Sequence, residues 1–89
     1  MDDIHVYGTT WCPDCTRAKR VLEKNGLSYA WTNIEQDDTA REYVQRINGG
    51  YKSVPTIVFP DGSVLVEPAN GVLQEKIDSL AKGSVPGAE

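Results

Sequence analysis

Ile4-His5-Val6-Tyr7-Gly8-Thr9-Thr10-Trp11-Cys12-Pro13-Asp14-Cys15-Thr16 decides how this chain is read. Ile4 to Tyr7 is a strand-like run, and Gly8-Thr9-Thr10 breaks it. A helix is expected to start at Cys12. Pro13 suits the first helical position, because the N–H it lacks would be unpaired there anyway. Cys15, Ala18, Val21 and Leu22 then recur at helical spacing as an apolar stripe, and Asn25-Gly26 supplies the stop. Arg17, Lys19, Arg20 and Lys24 make the opposite face basic, which reads as a solvated face with cations toward the negative end of the helix dipole. Two cysteines three residues apart therefore stand where a strand hands over to a helix.

Outward from this stretch, strand two spans Ser28 to about Asn33, and Trp31 on it reads as a packing residue. A second helix is expected from Asp38, with Thr39 and Glu42 as a capping box and Ala40, Tyr43, Val44 and Ile47 facing inward. Asn48-Gly49-Gly50 ends it. Thr56-Ile57-Val58-Phe59 is a strand, Pro60-Asp61-Gly62 a turn, and Ser63-Val64-Leu65-Val66 the returning arm of a hairpin. Pro68 to Gly71 reads as a loop. Val72, Leu73, Ile77 and Leu80 mark a third helix, and residues 83–89 read as a frayed tail after a single domain over 1–82. The order is βαβαββα. A right-handed crossover makes strands one and two parallel and the last hairpin is antiparallel, so the expected fold is α/β: a four-stranded mixed sheet with helices on both faces.

Composition narrows the function classes. Eighty-nine residues make one small domain, with 39% hydrophobic and 25% charged residues. A net charge of −4 argues against nucleic acid as partner. No apolar run approaches the roughly 20 residues that span a bilayer, so no membrane is expected. Met1-Asp2-Asp3 is acidic where a secretory signal would be basic. The expected setting is the cytoplasm, where thiols are kept reduced and disulfides are transient and catalytic. The expected state is a monomer.

In that setting Cys-x-x-Cys between a strand and a helix reads as a redox motif. One helical turn brings residues three apart to about 5–6 Å, a separation that a disulfide tolerates. Cys12, at the helix start, meets unpaired N–H groups and the positive dipole end; it is expected to be partly exposed, with a lowered thiolate pKa, as a nucleophile requires. Cys15, on the apolar stripe, should be more buried, less ionised and suited to resolve a mixed disulfide. Asp14, a carboxylate in the same turn, is expected to oppose thiolate formation at Cys12. A metal site is the other reading: one Cys-x-x-Cys offers two ligands where structural zinc wants four, so a metal or iron–sulfur cluster would have to be shared between two chains. His5, the one histidine, lies mid-strand and reads as a strand residue. Pro55 in Val54-Pro55-Thr56 suits a strand start, and an ordinary proline bond there is trans.

These pieces resemble the glutaredoxins of the thioredoxin superfamily over about Ile4 to Leu80, on Thr10-Trp11-Cys12-Pro13-Asp14-Cys15 after strand one and Val54-Pro55-Thr56 before strand three. The resemblance implies a thioredoxin-like fold and a thiol–disulfide oxidoreductase. It implies that Pro55 is cis beside the cysteines, and that the Val54 backbone pairs with the peptide-like part of a thiol substrate. Cys12 is then the nucleophile and Cys15 the resolving thiol. Thr10, Trp11, Pro13 and Asp14 form the rim, and Lys52 meets a substrate carboxylate or polar sugar. Within the family the chain looks like the mycoredoxins, which act with mycothiol, on Asn48-Gly49-Gly50, Lys52, Val54-Pro55-Thr56, Asp61-Gly62-Ser63 and Pro68. Glutathione-using members usually carry a Gly-Gly pair and an acidic residue after strand four; here the segment is Glu67-Pro68-Ala69-Asn70-Gly71. That departure favours a different small thiol, and the resemblance implies no bound cofactor and no metal. The cosubstrate is a low-molecular-weight thiol, mycothiol first, with bacillithiol or glutathione behind it. The partners implied are protein mixed disulfides and a thioredoxin or mycothione reductase system. A dithiol electron donor fed by thioredoxin reductase is the alternative enzyme, although the Trp-Ser-Gly-Phe signature of the ribonucleotide-reductase-linked redoxins is missing.

Overall fold

The computed structural model describes residues 4–83. The elements are β1 (Ile4–Gly8), α1 (Pro13–Lys24), β2 (Tyr29–Asn33), α2 (Asp38–Ile47), β3 (Thr56–Val58), β4 (Val64–Val66) and α3 (Asn70–Gly83). The strands form one sheet in the order β2-β1-β3-β4. β1 runs parallel to β2, with Val6 opposite Trp31, and antiparallel to β3, with Tyr7 opposite Thr56. β3 and β4 form the antiparallel hairpin. The expected order and mixed sheet are both present.

Alternation along β1 separates two cores, because successive side chains of a strand point to opposite faces. Ile4 and Val6 pack with Ala18 and Leu22 of α1, Leu73 and Ile77 of α3, and Ile57 and Phe59. Tyr7 faces the other way, against Ile34 and the α2 residues Ala40 and Val44. Helices thus cover both faces of the sheet. The α1 stripe is buried at Cys15, Ala18 and Leu22, with Val21 partly buried against the same core.

The element ends differ in detail from the sequence reading. Cys12 is the N-cap of α1 rather than its first residue, and Pro13 is the first helical position. α1 stops as Asn25-Gly26 suggests: Gly26 takes φ +72°, its N–H donates to the Glu23 carbonyl, and the Leu27 N–H reaches back to the Leu22 carbonyl. α2 is capped by Asp37, whose carboxylate accepts the Ala40 N–H at 2.9 Å, so Thr39 and Glu42 are not its capping box. Ile47, expected inward, is 38% exposed. Asn48 occupies the inward place instead, donating from Nδ2 to the Val44 carbonyl at 2.9 Å and to Thr56 Oγ1 at 3.2 Å. Strands two, three and four are each a residue shorter than expected. α3 begins at Asn70, so Asn70 and Gly71 belong to the helix and not to the preceding loop. Of the expected tail, Gly83 is the last residue of α3 and 84–89 lie outside the described residues. Among the described residues no helix is long and apolar enough to cross a membrane.

Candidate active site

The antiparallel pairing of β1 and β3 sets Thr56 beside Tyr7, so the segment leaving β1 and the segment entering β3 meet at one end of the sheet. The first carries Thr9 to Cys12 and the second carries Val54 and Pro55. The Val54–Pro55 bond is cis, as the family resemblance implied and the ordinary trans preference did not. Pro55 is buried, and Val54 is half-buried against the α2-side core beside Tyr7. Thr56 Oγ donates to the Ser53 carbonyl at 2.7 Å, which braces the turn into the strand. The Glu67 N–H donates to the Pro55 carbonyl at 2.8 Å, with Glu67 itself at φ +50°, and this ties the start of the Glu67-to-Gly71 segment to the same turn.

Both cysteines are free thiols. Cys12 is only 7% exposed, more enclosed than its place at a helix start suggests, and Cys15 is fully buried. The Cys15 N–H donates to the Cys12 carbonyl at 3.1 Å and is shared with Cys12 Sγ at 3.4 Å, so the first turn of α1 directs a backbone amide at that sulfur. Burial pushes the Cys15 thiol up to about 12, with contact to the Thr9 backbone and to Lys19 pulling the other way. Position and burial thus separate the two sulfurs: Cys12 caps the helix, and Cys15 sits one turn in, where burial favours the neutral thiol.

The remaining candidates are spread around this pair. Pro13 and Thr10 are exposed, and Trp11 is 67% exposed, which rules it out as core. Trp11 Nε1 donates to Glu35 at 2.9 Å. Glu35 follows β2, and a residue 24 positions away gives no local signal by which a sequence reading could find it. Asp14 pairs with Arg17 at 2.8 Å, and Arg17 Nε also donates to Asn70 Oδ1 at 3.0 Å, which joins the motif turn to the start of α3. The basic face of α1 is therefore not wholly solvated, and the three-residue spacing of Asp14 and Arg17 was the available clue. Lys52 is exposed on the loop between α2 and Pro55. His5 is a strand residue as read: Nε2 shares a hydrogen bond with Thr32 Oγ1 at 2.7 Å, and its ring stacks on Tyr7 with centroids 4.2 Å apart. No cluster of three or more His, Cys, Asp or Glu suited to a metal ion occurs among the described residues.

The comparisons agree with this geometry. The glutaredoxin family model matches residues 4–65. A Mycobacterium tuberculosis protein named as a glutaredoxin is 38% identical over 78 residues, which cover 88% of this chain and 93% of that protein. Mycoredoxin 1 of Corynebacterium glutamicum is 33% identical over 81 residues, covering 91% of this chain and all of that one. The crystal structure of a glutaredoxin from Archaeoglobus fulgidus aligns with a TM-score of 0.72 at 28% identity, over 86% of this chain and 87% of the other. With a cis-proline turn and a dithiol at one end of a four-stranded sheet, the chain belongs to the glutaredoxin family and is a thiol–disulfide oxidoreductase.

Proposed function

We propose that the protein reduces mixed disulfides between proteins and a low-molecular-weight thiol, with Cys12 as nucleophile and mycothiol as the preferred small thiol. The observation that carries this reading is Cys12 at the N-cap of α1 with the Cys15 amide directed at its sulfur. An anion there gains from the helix amides and the dipole. The likeness to mycoredoxin 1 supports mycothiol over glutathione. The Glu67-to-Gly71 segment supports the same choice, since it lacks the Gly-Gly pair and acidic residue of the usual glutathione grip.

The chemistry is two exchanges. The Cys12 thiolate attacks the small-thiol sulfur of the mixed disulfide; a Cys12–S–S–R bond forms, the S–S bond between the protein sulfur and the small-thiol sulfur breaks, and the protein leaves as a thiolate. A second small thiolate then attacks the R sulfur of the adduct, freeing the Cys12 thiolate and releasing R–S–S–R. Electrons come from the small thiol. Val54 and Pro55 provide the platform for the incoming substrate, and Thr10, Trp11, Pro13 and Asp14 form its rim. Lys52 meets a carboxylate or polar sugar of the small thiol. The enzyme works as a monomer in the cytoplasm.

The test is turnover of one mixed disulfide with mycothiol, bacillithiol and glutathione in parallel. Cys12→Ser is expected to abolish activity, and Cys15→Ser to retain it with mycothiol. Activity in Cys12→Ser would refute the mechanism. Inactivity with all three thiols, together with reduction by thioredoxin reductase that needs both cysteines, would make the protein a dithiol electron donor instead.

A further inference from the structure

Gly8, the last residue of β1, is where Cys15 and Trp31 converge. A Cβ on Gly8 would lie 2.5 Å from Cys15 Sγ and 3.0 Å from two carbons of the Trp31 ring. Cβ atoms essentially never come that near another side chain, so the thiol fills room that any other residue at position 8 would take. Trp31, on the neighbouring strand, is partly buried against the core. Lys19, on the helix that carries Cys15, sets its Nζ 3.7 Å from the centre of the same ring, a cation–π contact that holds the indole in place. Cys15 is fully buried among these groups while its own amide reaches Cys12 Sγ.

We propose that Gly8 and Trp31 are positioning residues for the resolving thiol: they seat Cys15 Sγ against the end of β1 in the place from which it closes on Cys12. The inference rests on the reading of Cys12 as nucleophile. In the closing step Cys12–S–S–R and Cys15–SH become Cys12–S–S–Cys15 and R–SH. A bond forms between the two cysteine sulfurs, the bond from Cys12 to the small thiol breaks, and the Cys15 proton leaves with the departing sulfur. Burial keeps Cys15 protonated until then, so the rate depends on how well the sulfur is aimed.

The experiment loads Cys12 with glutathione from oxidised glutathione, as a reporter thiol, and follows release of glutathione by acid quench and mass spectrometry. Loading is timed separately in a Cys15→Ser background. Gly8→Ala is expected to slow closing at least about tenfold more than it slows loading, since misplacing a reacting atom by about 1 Å can cost about a hundredfold. Closing and loading that slow by the same factor, or closing at the parent rate, would overturn the proposal. Trp31→Leu provides a second arm. In a Cys12→Ser background its alkylation at Cys15 should reach half-maximal rate at lower pH than in Cys12→Ser alone, because water gains the sulfur. An unmoved pH midpoint would overturn the seat even where Gly8→Ala does not fold. A parent that loads at Cys12 from neither oxidised glutathione nor oxidised mycothiol would defeat the nucleophile reading instead, and the alkylation arm, which needs no loading, would still decide the seat.

Discussion

Asp14 stands in the turn that carries both cysteines, and its carboxylate is held by Arg17 one turn further along α1. The sequence reading set Asp14 against a Cys12 thiolate, but the ion pair leaves less of that negative charge free. Both partners are nearly half exposed, so the pair is screened by water and salt, and its effect is modest. Arg17→Gln should release the carboxylate and slow attack by Cys12 about two- to fivefold at low salt. Adding Asp14→Asn should restore the rate, and raising the salt should shrink the difference. A rate that ignores Arg17→Gln at low salt would show that the guanidinium does not shield the site. At this scale the sequence was legible where partners are local. The dithiol and the Asp14–Arg17 spacing can be read from the chain; the Trp11–Glu35 hydrogen bond and the meeting of Gly8, Cys15 and Trp31 cannot, because folding alone brings those residues together.

The start of α2 offers the chain three adjacent capping residues, Asp37, Asp38 and Thr39. Asp37 takes the role because its backbone is extended, at φ −142° and ψ +99°, which leaves its carboxylate facing the Ala40 amide. Asp37→Ala should therefore cost about 1 kcal/mol in urea unfolding, whereas Thr39→Ala should stay within about 0.5 kcal/mol. Equal losses from the two would return the cap to Thr39. At the far end of α2 the inward position goes to Asn48, which satisfies a helix carbonyl and reaches Thr56, and Ile47 is left half in water. Hydrophobic periodicity does not foresee this, since it scores apolar residues and gives no credit to a polar side chain that closes a helix onto a strand.

For the whole molecule, the central place of β1 matters most. Its ladder to β3 fixes where the cysteine loop lies relative to Pro55, and its alternation assigns Val6 to one core and Tyr7 to the other. His5, on the Tyr7 side, lends the fold a pH dependence. Burial lowers its pKa from the ordinary 6.5, so the unfolded chain takes up a proton more readily than the folded one. Stability from this group is complete above about pH 6.5 and is lost as pH falls from there toward the lower folded-state value. The urea midpoint should accordingly drop more between pH 7.5 and 5.5 in the parent than in His5→Gln. Identical drops would mean that His5 titrates alike in both states.

The sequence by itself determined the element order, the mixed sheet, the helix stops and the dithiol. These follow from period, turn chemistry and spacing within a few residues, all local properties of a chain. The tertiary structure decided the depth at which Cys12 sits, the partner of Trp11, the link from Arg17 to Asn70, and the close fit of Cys15 against Gly8 and Trp31. The cis state of Pro55 stands between the two. Family resemblance implied it, but nothing in the local chain favours it, because the ordinary proline preference is trans and only the surroundings select the rarer isomer.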